Sequence, residues 1–167
     1  MIRRLAAAAA ILIAAGCSSA PAPVPIVGAP ADVRLLAGEW GGEYHGDMNG
    51  RSGSIVFRLT AAADTAFGDV VMIPARRVNE PSPATPSMGL PMPPAPQVLV
   101  IAFVRTARGG VSGELRPYRD PDCDCPVRTR FVGSIHGDTI QGWYVTERTE
   151  SNGPRQTGSW KVTRNRP

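Results

Sequence analysis

Between residues 38 and 163 the chain alternates apolar and polar positions with a period of two, in runs of seven to ten residues broken by turn chemistry. The clearest case is RTRFVGSIHGDTIQGWYVTE, Arg128 to Glu147. Gly137-Asp138 suits a two-residue type II′ turn, which takes glycine first. That turn sets Ile135 opposite Ile140, Gly133 opposite Gly142 and Phe131 opposite Tyr144, with His136 opposite Thr139. A slip of one residue would send the apolar set to the other face, so pattern and turn support one register. Similar runs predict strands over Gly38–His45, Ser54–Thr60, Phe67–Ile73, Gln97–Arg105, Val111–Tyr118 and Gln156–Thr163, which with the hairpin makes eight. Helical periodicity is almost absent.

Eight short strands joined by turns predict an all-β fold, an eight-stranded antiparallel up-and-down barrel. Closure removes exposed sheet edges. Outward charges at Glu39, Glu43, Arg58, Glu114, Arg116 and Lys161 exclude a lipid-facing exterior and predict a soluble barrel. In such a topology alternate connections share an end. The long ones, 45–53, 74–96, 119–127 and 148–155, form an elaborated mouth, and the tight ones form a plain base. Tyr44, His45, Arg51, Tyr118, Arg119 and Arg148 sit on or beside the mouth loops and are the candidate binding residues. Both chain ends are expected to leave from the base.

The N-terminus changes the picture of location. Arg3 and Arg4 precede an apolar stretch, Leu5 to Ala15, too short to span a bilayer, and it ends in Ala14-Ala15-Gly16-Cys17. This resembles the lipobox of bacterial lipoproteins, with Ala14 where that pattern usually has leucine. The resemblance implies a signal peptide over 1–16, cleavage before Cys17, and acyl chains on its sulfur and amine that hold the protein to a membrane. Ser18 after the cysteine implies the outer membrane, with the domain in the periplasm or on the surface. Residues 17–34, rich in Pro and Ala, read as a tether, and 35–167 as the barrel domain. Without Arg3 and Arg4 the chain holds 16 basic and 14 acidic residues with no basic stripe, so nucleic acid is not an expected partner. Gly38-x-Trp40 in the first strand, the meander, and Trp160 in the last are similar to calycin-like barrels. A slighter resemblance, carried by the same Gly-x-Trp in an anchored barrel, is to barrel-type protease-inhibitor lipoproteins.

Candidate chemistry is sparse. Cys123 and Cys125 face an oxidising compartment and are expected to pair with each other. Asp120, Asp122 and Asp124 have the opening spacing of a calcium loop, but Cys125 stands where that loop needs glycine and Phe131 where it needs glutamate, so no metal is expected. The triplets His45–Asp47 and His136–Asp138 fall at opposite ends of the barrel and cannot share a site. No nucleophile grouping is present, so neither an enzyme nor a cofactor is expected. Gly42, Gly133, Gly142 and Gly158 face inward beside large aromatics, which predicts rings packed into the gaps; the alternative is a small apolar cavity. In strand Gln97–Arg105, Val98, Val100, Ala102 and Val104 are assigned to the interior. Leu99, Ile101 and Phe103 then form an exterior patch, covered by the Pro-rich 74–96 loop or open as an interface. The resulting expectation is a monomeric, lipid-anchored envelope module that binds through its mouth loops. Its partner is an envelope protein, a protease included, or else the barrel carries a small apolar ligand.

Overall fold

The computed structural model describes residues 23–60, 64–73, 95–150 and 153–165. Cys17, residues 1–16 expected to be a signal peptide, and residues 74–94 of the Pro-rich loop lie outside the described residues. The eight expected strands are present: β2 (Gly38–Gly46), β3 (Ser52–Leu59), β4 (Thr65–Ile73), β5 (Gln97–Ala107), β6 (Gly110–Leu115), β8 (Cys125–His136), β9 (Thr139–Arg148) and β10 (Gln156–Asn165). Each pairs antiparallel with the next, and β10 closes onto β2. A short β7 (Tyr118–Asp120) extends the pairing on β8.

The β8–β9 hairpin has the expected register throughout, from Val127 opposite Arg148 to His136 opposite Thr139. Gly137 takes φ 59°, the left-handed first position that a II′ turn requires. Rings lie over inward glycines as expected: a Cβ on Gly133 would come within 2.6 Å of Trp160, and one on Gly158 within 2.5 Å of Tyr144. Phe131 and Trp160 meet edge to face, their centroids 5.9 Å apart.

Two elements differ from expectation. The first is a ninth stave in the wall. Pro23–Gly28 forms strand β1, antiparallel to the start of β4 and parallel to the end of β5. The segment expected to be a tether through residue 34 is therefore partly barrel wall. Val24 and Ile26 point inward and are buried, while Pro23 and Pro25 face out. β4 and β5 pair directly only from Asp69–Val100 toward the mouth, and β1 fills the gap below. The chain thus enters on the barrel's flank rather than from the base. Helix α1 (Pro30–Leu36), with Pro30 at its first turn, then leads into β2. Its last residue, Leu36, is buried and plugs the base beneath Trp40, whose indole N–H donates to the Leu36 carbonyl at 2.8 Å. Arg164 clasps this end: its guanidinium lies 4.2 Å from the Trp40 ring centroid and donates to the carbonyls of Leu35 and Ala37 and to Asp138.

The second difference is in β5. The ladder to β6 skips Ala102, a bulge that reverses the inside–outside parity. Leu99 and Ile101, expected outside as an interface, are both in the core at 4 % exposure, and Phe103 is half-buried. Val98 points to solvent, and inward positions resume at Val104 and Thr106. The exterior patch that would have needed a covering loop therefore does not exist.

Candidate functional site

The mouth end of the interior holds an unusual group for a barrel core: a buried arginine. The β2–β3 turn places it there. The Asn49 side-chain oxygen accepts from the Arg51 amide at 3.1 Å, Gly50 takes φ 61°, and the Gly46 amide donates to the Arg51 carbonyl at 2.8 Å. This local turn directs the Arg51 side chain inward, where it is 4 % exposed. Its guanidinium makes a two-pronged contact with fully buried Asp120, at 2.9 and 2.5 Å, and a further contact with half-exposed Asp122. Asp120 ends β7 and also accepts from the Asp122 amide at 2.8 Å and from Gln156 Nε2 at 3.2 Å. Asn49 Nδ2 in turn donates to the Gln156 side-chain oxygen Oε1 at 3.0 Å. Burial by itself would raise the Asp120 carboxyl, but Arg51, the Asp122 amide and Gln156 outweigh it and hold the group below its ordinary range. Burial opposes the charge on Arg51 as well, and its two carboxylates more than restore it.

Beneath this network lies a cavity of about 110 Å3. Leu36 and Trp40 line it toward the base, Phe57, Ile101 and Trp160 around the wall, and Arg51 toward the mouth. All three tyrosines of the chain stand on its lining. Tyr44 and Tyr144 meet edge to face with centroids 5.7 Å apart. The Tyr118 hydroxyl is 3.1 Å from that of Thr129, which is 2.7 Å from that of Thr146. The Tyr44 hydroxyl and Arg51 Nε are buried and have no hydrogen-bond partner among the described residues. Burial pushes all three phenols up: Tyr144 to about 12, Tyr44 higher still, and Tyr118 in the same direction.

Of the candidate binding residues, the structure gathers Tyr44, Arg51 and Tyr118 around the cavity. The other three stay outside it. His45 is exposed, 3.4 Å from Glu43; Arg119 is exposed and pairs with Asp124 at 2.7 Å; Arg148 is exposed. The three aspartates with calcium-loop spacing have arginine partners instead, Asp120 and Asp122 on Arg51 and Asp124 on Arg119. Cys123 and Cys125 lie within bonding distance of each other across Asp124, in the loop that carries Asp122. Residues missed by sequence reasoning are Asn49, Thr129, Thr146 and Gln156 as cavity lining, and Asp120 as the partner of Arg51. The available signal was the inward parity of Thr129 and Thr146, two polar residues at core positions of one hairpin. The chain matches no known protein family, no curated protein and no solved structure.

Proposed function

We propose that this barrel is an envelope binding module whose interior takes a small, mostly apolar ligand, held to the outer membrane by lipid on Cys17. The observation that carries the reading is the cavity of about 110 Å3, lined mainly by apolar side chains between the Leu36 plug and the Arg51 network. An engineered apolar cavity of about 150 Å3 takes up benzene, so this space suits a single ring or a short chain. The calycin-like reading of the sequence agrees with such a carrier. Tyr44 and Arg51, two of the mouth residues, are turned inward and not presented to a protein partner, which favours the interior over the mouth loops as the binding surface. The reading is one of binding, without a reaction. Because β1 begins at Pro23, only residues 18–22 separate it from Cys17, and even a fully extended chain of this length would reach only about 20 Å. The barrel would then ride close to the membrane on its β4–β5 flank.

Saturating toluene should raise the melting temperature of the purified chain in proportion to the logarithm of its concentration. An unchanged melting curve at saturation sinks the interior reading. Mass spectrometry of the mature N-terminus checks the anchor separately: an unmodified Cys17 would remove it.

A further inference from the structure

The cavity has two ends of different chemistry. Toward the base every lining group is apolar, from Leu36 and Trp40 upward. Toward the mouth stand two hydrogen-bond donors with nothing to donate to among the described residues, the Tyr44 hydroxyl and Arg51 Nε. Tyr44 on β2 pairs with Gly53, and Arg51 stands immediately before β3, two residues from that partner. Tyr44 is 7 % exposed and Arg51 4 %, so bulk water does not serve them. A buried donor left unpaired is costly, and two such donors on the lining of one cavity are a vacancy for an acceptor.

The charges around that vacancy restrict what can fill it. The one guanidinium already faces two carboxylates, Asp120 and Asp122, and Asp47 adds its negative field at Tyr144. The neighbourhood is therefore not short of anions. A carboxylate or phosphate would lose its hydration to enter a site whose cation is already neutralised. A neutral oxygen accepts from both donors without that cost. The apolar remainder of the cavity then takes the rest of the molecule.

We infer that the ligand is a small neutral compound with one acceptor oxygen, a ketone, aldehyde or ester, whose oxygen sits against Tyr44 and Arg51 and whose hydrocarbon part fills the cavity toward Trp40. This rests on the interior reading proposed above. Three probes of nearly equal shape separate the possibilities: acetophenone, the hydrocarbon cumene and the anion benzoate. Each is titrated calorimetrically into the full chain and into its Tyr44→Phe variant.

Acetophenone should bind the wild type about tenfold or more tighter than cumene, with no detectable benzoate binding. In Tyr44→Phe that preference should shrink severalfold, while the ligand-free variant keeps or raises its denaturation midpoint, since it loses only an unpaired hydroxyl. Equal binding of cumene and acetophenone to the wild type overturns the inference and leaves the interior reading standing. Tightest binding of benzoate also overturns it, and marks an anion site. A lowered midpoint in ligand-free Tyr44→Phe overturns it too, because a resident water then satisfies the hydroxyl. Binding of none of the three defeats the interior reading itself, and the inference with it. Should Tyr44→Phe fail to fold, the wild-type ranking alone decides.

Discussion

Asp120→Ala tests whether the buried ion pair holds the mouth end together. The substitution deletes both contacts to Arg51, at 2.9 and 2.5 Å, and the acceptors of the Asp122 amide and Gln156. Arg51 stays 4 % exposed, with Asp122 as its remaining carboxylate. Breaking a buried pair by removing one partner costs about 3–5 kcal/mol, because the other charge is left in place. Asp122 still offsets part of that charge, so the low end, about 3 kcal/mol, is expected. In urea, with a slope of about 2 kcal/mol per molar for a domain of this size, the midpoint should fall by about 1.5 M at unchanged slope. The double substitution Arg51→Met with Asp120→Leu removes both charges and puts apolar side chains in their place. It should return to within about 1 kcal/mol of the wild type, since apolar replacement of a buried pair is often neutral or better. A single variant within about 1 kcal/mol of the wild type, or a double variant no better than the single, would refute the reasoning.

The tyrosines give a pH test on the whole chain, because all three line the cavity. With folded values raised above the usual phenol value near 10, their contribution to stability is complete below about pH 10 and is lost as pH rises through the folded values, with Tyr144 at about 12. Tyrosinate absorbance of the native protein at pH 10 should therefore be near zero and should rise on adding urea; half-ionised native tyrosines would contradict the burial. At the base, Leu36→Ala should cost about 2–5 kcal/mol in urea melts, since Leu36 is 1 % exposed and its loss joins the cavity to solvent beneath Trp40. A loss below about 1 kcal/mol would mean that α1 does not plug the barrel.

The barrel itself was legible along the chain because its signals are local. Alternation marks which face of each strand is apolar, and Gly137-Asp138 sets the register of β8 on β9 without help from elsewhere. The lopsided distribution of long and short connections, with Tyr44, Arg51 and Tyr118 near the elaborated end, follows from the same reading. β1 was not legible as wall. Its Val24 and Ile26 do alternate, but Pro23 and Pro25 speak against an interior strand, and only the gap between β4 and β5 gives so short a segment partners on both sides. The bulge at Ala102 was hidden for a related reason. Parity along β5 is uniform in sequence, and only pairing with β6 shows that one residue is skipped, which put Leu99 and Ile101 inside. The site depended most on tertiary structure. Arg51 and Asp120 are 69 positions apart; the first reads as a mouth-loop residue, the second as part of an acidic run, and no local pattern joins them. Whether inward rings fill a barrel or leave a space is decided by how side chains from every stave meet at its axis, a sum over distant residues that no local pattern contains.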